Sequence, residues 1–264
     1  MEENRFLAEL EKRVLLGSGA MGTELLKRGA LADRPVDELN LARPHTVLDL
    51  SREYVRAGAD VVKTNTFLAN RRRLHDPGLG KKVREINLAG AQIARDAAKG
   101  AFVAGCVGPL TELGSDFLVY REQCEALAEG GCDLLLLETF MNFADLQVAL
   151  KAAWTTGLPV VAQVAEYAIV RGLQKLTEMD ADLVGINCKD PELMVPSIAV
   201  LKSTAAVPVS AFPSGGLPGK EMSPETFAGW IGLLVKEGAR LVGGCCGAGP
   251  EHIAAAAGVA GKGR

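Results

Sequence analysis

The sequence is poor in aromatic residues, carries little net charge and contains no long apolar run. Aromatic side chains make up 5% of the 264 residues, and the formal net charge is −3 at pH 7. We expect no nucleic-acid partner, because nucleic acids are held by basic surfaces and by stacking on aromatic rings. We also expect no membrane span, since no segment approaches the ~20 apolar residues that a transmembrane helix needs.

The chain also begins without the basic and then apolar residues of a secretion signal, since its first residues are MEENR. This favours a cytoplasmic protein, and that compartment keeps thiols reduced. The six cysteines are therefore expected to be free thiols rather than a disulfide framework. For Cys106, Cys124 and Cys132, which lie within apolar segments, we predict burial in the core.

Short apolar segments alternate with longer segments of helical periodicity from one end of the chain to the other. Eight strands are predicted, at residues 14–18, 60–66, 102–108, 133–139, 159–165, 182–188, 207–213 and 240–245. Strands that are apolar on both faces and are joined by helices form a parallel sheet covered by helices. An open doubly wound sheet also fits, but eight units in this length favour a (β/α)8 TIM barrel, one domain over residues 1–264.

Polar and thiol side chains follow five of the predicted strands, at the point where each strand ends. These residues are Asn65, Glu138, Asn187 with Cys188, Ser214, and the segment GGCCG at 243–247. Because barrel enzymes carry their active sites at the carboxyl ends of the strands, this pattern predicts an active site at that end.

The adjacent pair Cys245 and Cys246, flanked by glycines, is the most specific of these features. In a regular strand the two side chains would face opposite sides, so shared metal binding requires an irregular backbone, which glycine permits. With Cys188 from another strand end, three thiolates and one open position are typical of a catalytic zinc. Packed thiols and a vicinal redox disulfide are the alternatives. The histidines, His45, His75 and His252, are expected to be surface or capping residues rather than ligands.

Seven segments in register resemble the homocysteine S-methyltransferase family, within it most closely the homocysteine-binding domain of cobalamin-dependent methionine synthase. They are GAMGTEL at 19–25, ELN at 38–40, TNTF at 64–67, VGP at 107–109, LET at 137–139, GINC at 185–188 and GGCCG at 243–247. The likeness extends from about residue 12 to 260.

The resemblance implies a zinc (β/α)8 barrel enzyme that transfers a methyl group to the thiolate of homocysteine and forms methionine. One Zn²⁺ would be bound by Cys188, Cys245 and Cys246, with the substrate thiol as the fourth ligand. Glu138 would hold the substrate amino group, and the backbone of the first glycine loop would receive the carboxylate. That loop comprises Gly19, Ala20, Met21 and Gly22, and Asn65 is a further expected substrate-binding residue.

Two positions near the expected substrate differ from the family pattern. Ser18 stands where an acidic residue is usual, and Ser214 stands where an asparagine is usual. The loops after the third and fifth predicted strands, at residues 110–116 and 166–169, are short and leave an open rim. We therefore expect either a separate corrinoid protein, which would bring methylcobalamin, or a small compound such as S-methylmethionine as the methyl donor.

Three alternative functions remain open on the sequence alone. The chain could methylate a different thiol, or it could be a non-catalytic subunit of a methyltransferase complex that binds zinc or a thiol. A third hypothesis is an aldolase-type lyase in which Lys63 forms a Schiff base. If Asn65 faces the inside of the barrel, then Lys63 does too, where an ion pair with Glu138 is equally compatible with the pattern.

Overall fold

A computed structural model describes residues 4–75, 79–110, 114–165, 169–217 and 219–261 of the chain. Eight parallel strands alternate with helices, as the apolar pattern predicts. The strands are β1 (Leu15–Leu16), β2 (Val61–Lys63), β3 (Phe102–Val107), β4 (Leu134–Phe140), β5 (Val160–Val164), β6 (Leu183–Asn187), β7 (Val209–Phe212) and β10 (Ala239–Val242). Six of these strands lie inside their predicted ranges. β4 ends one residue after its predicted range, and β10 starts one residue before its range.

The strands form one sheet in the order β1-β10-β7-β6-β5-β4-β3-β2, with every pair parallel. The two ends of this order meet, because Gly17 forms a parallel bridge with Val61. The Ser18 amide donates to the Val61 carbonyl at 2.8 Å, and the Asp60 amide donates to the Leu16 carbonyl at 2.7 Å. The sheet is therefore closed into the predicted (β/α)8 barrel.

The helices pack around the outside of the barrel or line its two ends. They are α1 (Arg5–Lys12), α2 (Gly22–Lys27), α3 (Leu39–Ala42), α4 (Pro44–Arg56), α5 (Val83–Ala98), α6 (Phe117–Glu129), α7 (Phe143–Trp154), α8 (Ile169–Thr177), α9 (Pro191–Thr204), α10 (Pro224–Lys236) and α11 (Pro250–Ala260), with a 3₁₀ turn at Val36–Glu38. Side-chain caps fix several starts; Ser223 accepts from the Thr226 amide and Pro224 occupies the first helical position. No helix in the described residues is long and apolar enough to cross a bilayer.

The amino-terminal end of the barrel is closed by α1. Phe6 and Leu10 are 1% exposed and join the cluster of inward side chains that includes Leu15, Val61 and Phe102. Phe6 packs edge-to-face on Phe102, with ring centres 5.5 Å apart. Access to the interior is consequently left at the opposite end, where the strands terminate in polar residues.

The three cysteines that were predicted to be packed are buried. Cys106 lies inside the barrel among its apolar side chains, whereas Cys124 and Cys132 lie between the sheet and the surrounding helices. Burial raises the pKa of Cys124 to about 12, so this thiol stays protonated.

A two-stranded antiparallel hairpin, β8 (Gly216–Leu217) with β9 (Lys220–Glu221), follows β7 and is an element that the sequence pattern did not predict. The Met222 amide returns to the Gly215 carbonyl at 2.8 Å, which fixes the hairpin beside the glycine-rich segment after β10. The hairpin therefore forms part of the rim at the carboxyl ends of the strands.

Candidate metal centre

Three cysteine thiols meet at the carboxyl end of the barrel. Cys188 follows β6 directly, and Cys245 and Cys246 follow β10. Their Sγ atoms all lie within 4.8 Å of one another, and the Sγ atoms of Cys188 and Cys246 are 3.4 Å apart. Zn–S bonds of about 2.3 Å in a tetrahedral site separate two sulfurs by about 3.8 Å, so these thiols fit one zinc ion.

The backbone leaves regular strand geometry at two points to bring the sulfurs together. Cys188 itself adopts a left-handed conformation with φ of 55°, and its amide donates to the Phe212 carbonyl at 2.9 Å. Gly247 is also left-handed, with φ of 75°, and a Cβ there would lie 2.3 Å from the Gly216 carbonyl oxygen. Of the glycines flanking the pair, Gly244 is needed for packing instead, because a Cβ would lie 2.5 Å from that of Ala248.

Hydrogen bonds between the thiols make their protonation unequal. Bonds from Cys188 and then Cys245 lower the pKa of Cys246. Hydrogen bonds of Cys245 with Cys188 and with Cys246, together with burial, raise the pKa of Cys245 far above its usual value. The contacts within the cluster thus favour one thiolate, at Cys246.

The thiols lie at the edge of a cavity of about 350 Å³. Most of the predicted site residues line it, namely Ala20, Met21, Gly22, Asn65, Glu138, Cys188, Cys245 and Cys246. Lys63, which was considered from the sequence only as a Schiff-base lysine or as an ion-pair partner of Glu138, lines it too. So do Thr23, Asp37, Phe67 and Thr139, which were not predicted to be site residues.

Ser18, Gly19 and Ser214 are not among the residues that line the cavity. The Ser18 hydroxyl accepts from the Lys63 amide at 3.0 Å. The Ser214 hydroxyl donates to the Cys246 carbonyl at 3.3 Å, next to the bond that the Gly215 amide donates to the same oxygen at 2.7 Å. In this structure these serines support the backbone of the site.

The first glycine loop packs directly on the segment that carries the cysteine pair. A Cβ on Gly19 would lie 2.0 Å from the Ala248 carbonyl oxygen, which accepts the Ala20 amide at 2.9 Å. Tyr54, fully buried, donates from its hydroxyl to the Ala20 carbonyl at 2.6 Å. Close packing of the two loops therefore explains why this position is glycine.

Lys63 and Glu138 form a buried ion pair inside the barrel. The Lys63 Nζ lies 3.6 Å from the Glu138 Oε2, and both side chains are less than 10% exposed. Burial lowers the pKa of Lys63, but the charge of Glu138 and the nearby thiols outweigh burial and raise it. A Schiff-base lysine needs a lowered pKa, so the geometry favours the ion pair over the lyase hypothesis.

Asn65 and Asp37 tie the segment after α2 to the cavity wall. The Asn65 Nδ2 donates to the Val36 carbonyl at 2.8 Å and to the Asn40 Oδ1 at 3.1 Å. One Asp37 carboxylate oxygen accepts the Leu68 amide at 3.0 Å, and the other is buried with no hydrogen-bond partner. Burial raises the pKa of Asp37 to about 6, against hydrogen bonds that lower it.

The histidines lie apart from the thiols. His45 and His75 are exposed. His252 is buried and caps α11, because its Nδ1 accepts the Gly249 amide at 3.1 Å and its Nε2 contacts the Met222 carbonyl at 2.8 Å. The capping alternative is confirmed for His252.

The profile of the homocysteine S-methyltransferase family matches residues 15–260. The chain belongs to this family. The match covers all eight barrel strands, the first glycine loop and the three cysteines, so the family resemblance stated from the sequence is confirmed.

The chain is 32% identical to the methionine synthases of Mycobacterium tuberculosis and Mycobacterium leprae, over 92% and 94% of its own length. It spans 24% of the length of each, so it corresponds to about a quarter of these relatives. The metallated form of the Escherichia coli homocysteine methyltransferase MmuM has the same fold, with a TM-score of 0.83 and 23% identity over 95% of this chain and 98% of that one.

A more distant barrel is the carboxyl transferase domain of Rhizobium etli pyruvate carboxylase. It aligns with a TM-score of 0.59 and 14% identity, over 92% of this chain and 42% of that one. At these identities the two structural likenesses show the fold alone.

Proposed function

We propose that this chain is a zinc-dependent S-methyltransferase that methylates the thiolate of homocysteine and so forms methionine. The observation that carries the proposal is the cluster of Cys188, Cys245 and Cys246, whose sulfurs lie within 4.8 Å of one another beside a cavity. Three soft ligands with one position left for a substrate are typical of catalytic rather than structural zinc. Membership in the homocysteine S-methyltransferase family supports the same assignment.

Zinc at this site would lower the pKa of an acceptor thiol from about 8.5 and keep its sulfur as a nucleophilic thiolate at neutral pH. The protein then needs no general base for the thiol. Its own residues hold the acceptor in place and keep the three cysteines converged. Because the cluster must stay reduced, we place the activity in the cytoplasm.

We propose that the acceptor's ammonium group lies beside Glu138 and its carboxylate beside the first glycine loop. Glu138 lines the cavity, and its carboxylate forms an ion pair with Lys63. The Ala20 amide is occupied by the Ala248 carbonyl, so the amides of Met21 and Gly22, at the start of α2, are the donors we assign to the carboxylate. Asn65 contributes by holding the wall of the cavity.

We propose that the methyl donor is a separate corrinoid protein, with a small compound such as S-methylmethionine as the second option. Of the nine exposed large apolar residues in the described part of the chain, four follow the carboxyl end of a strand or lie in the first turn of the helix after it, and Leu26 lines the cavity itself. The four are Leu118, Met141, Leu193 and Leu217. Such an apolar rim suits a protein partner. The loop residues 111–113 and 166–168, which we expected to leave the rim open, lie outside the described residues.

The experiment that tests the proposal compares Cys246→Ala with Cys124→Ala, which removes a buried thiol from α6. Zinc content is measured by elemental analysis, and methionine formation is measured with homocysteine and each donor. We expect Cys246→Ala to lose both zinc and activity, and Cys124→Ala to keep both. Activity that survives in the Cys246 variant would refute the proposal, and zinc and homocysteine binding without product for any donor would favour a non-catalytic subunit.

A further inference from the structure

Lys63 is a buried ammonium group inside the barrel to which the proposed reaction gives no role. Its side chain is 5% exposed, and it ends β2. The Nζ donates to the Gly244 carbonyl at 3.1 Å and lies 3.6 Å from the Glu138 Oε2. It also lies 5.4 Å from the centre of the Phe212 ring.

Each of these partners is linked to a cysteine of the cluster. Gly244 directly precedes Cys245 in the chain. The Phe212 carbonyl accepts the Cys188 amide at 2.9 Å. The side-chain Nδ2 of Asn187, the residue before Cys188, lies 3.5 Å from the Glu138 Oε2. The ammonium of Lys63 therefore lies against groups that position Cys188 after β6 and Cys245 after β10.

The site carries an excess of negative charge that Lys63 reduces by one. Three thiolates and Glu138 carry four negative charges, of which a zinc ion offsets two, and an acceptor thiolate adds one more. Buried charges that lack an opposite charge are costly, because little solvent reaches them. Lys63 is the lysine among the residues that line the cavity, so it supplies a positive charge at the depth where the thiolates lie.

We propose that Lys63 is a positioning residue and the internal counter-ion of the cysteine cluster. Its ammonium holds the Gly244 carbonyl, which fixes the turn into Cys245, and it offsets the negative charge of the thiolates. The site consequently binds a divalent, thiolate-preferring metal ion more tightly than the three cysteines alone would. This inference rests on the proposed function, since it concerns the same metal centre.

The test is the zinc dissociation constant of the full chain, measured by competition with a chromophoric chelator at fixed neutral pH under reducing conditions. The variants are Lys63→Met, which removes the charge and the hydrogen bond, and Lys63→Gln, which keeps a donor without charge. Lys151→Met, at an exposed position on α7, controls for the loss of one positive charge elsewhere. We expect a 10- to 100-fold weaker affinity for Lys63→Met, about tenfold for Lys63→Gln, and an unchanged value for the control.

Glu138→Gln separates the counter-ion role from a general structural role. Removal of a negative charge near the thiolates should leave zinc binding as tight as in the parent protein or tighten it. If Lys63→Met and Glu138→Gln weaken zinc equally, the pair only supports the fold and the inference is wrong. An affinity for Lys63→Met within about threefold of the parent also overturns it; if that variant does not fold, Lys63→Gln decides.

The two proposals fail in different ways. A parent protein that binds no zinc contradicts the proposed function itself. A parent protein that binds zinc and methylates homocysteine, alongside a Lys63→Met variant of equal zinc affinity, contradicts only the role of Lys63.

Discussion

Asp37 gives the protein a pH dependence of stability that can be calculated from its surroundings. The side chain is 1% exposed, with one oxygen bonded to the Leu68 amide and the other without a partner. Replacement by asparagine keeps an acceptor for that amide but removes the ionisation. Asp37→Asn therefore isolates the free energy of burying this carboxylate.

The magnitude follows from the pKa, which burial raises from 3.8 to about 6. The folded protein holds this proton more tightly than the unfolded chain, so the contribution to stability is complete below about pH 4. It is lost as the pH rises through 6. With about 1.4 kcal/mol per pKa unit, the whole change is about 3 kcal/mol, of which about 2 kcal/mol falls between pH 4.5 and 7.5.

The assay is urea unfolding, followed by tryptophan fluorescence, with chelator and reductant present at each pH. We expect the variant to gain about 2 kcal/mol relative to the parent protein between pH 4.5 and 7.5. Asp49→Asn, at a side chain that is 64% exposed, should show no such change. A constant difference between parent and Asp37→Asn across this range would show that the carboxyl titrates normally and would refute the reasoning.

Three further predictions concern the two ends of the barrel. Gly247→Ala should weaken zinc binding at least about tenfold in chelator competition, because its Cβ would meet the Gly216 carbonyl at 2.3 Å; an unchanged affinity contradicts this. Phe6→Ala should cost about 3–5 kcal/mol in urea unfolding yet leave zinc affinity intact, since α1 closes the opposite end; a coupled loss of zinc would argue otherwise. Leu217→Glu, on the exposed hairpin, should lower kcat/KM at least about fivefold with a methyl-corrinoid protein. With S-methylmethionine its kcat/KM should stay within about twofold, and an equal effect on both donors would count against a docking rim.

Strand positions could be predicted from the sequence because barrel strands are apolar on both faces. The predicted ranges mostly extend beyond the observed carboxyl ends; residues 60–66, for example, contain β2 at Val61–Lys63. The apolar and β-branched residues of a segment do not indicate at which residue its hydrogen bonding to the neighbouring strands ends. The residues after that point, such as Asn65, use their polar groups for contacts with loops instead.

The hairpin of β8 and β9 was missed because each of its strands has only two residues. No alternation of apolar and polar residues can be recognised over that length. Its glycines were the available indication, since Gly216 and Gly219 have φ of 117° and 77°.

The cysteine cluster could be predicted from the sequence because paired and glycine-flanked thiols are a specific pattern, whereas the burial of Asp37 could not. In the sequence Asp37 precedes Glu38 and resembles an ordinary acid at the start of a helix. It is held by the backbone amide of Leu68, which lies in the loop after β2 and is 31 positions away. Only the folded chain brings the two together.

The alternation of inward and outward side chains along the strands explains why Lys63 and Glu138 meet. The position of Cys188 departs from that alternation. Lys63 follows Val61, and Glu138 follows Leu134 and Leu136, at inward positions, so simple alternation predicts that they meet inside the barrel. Cys188 is one residue beyond the inward Asn187 and would point outward if the strand continued. Its left-handed φ of 55° turns it back, a conformation that carries strain for a residue with a side chain. The convergence of the three cysteines thus depends on a backbone irregularity at Cys188 that its residue type, unlike glycine, does not indicate in a sequence.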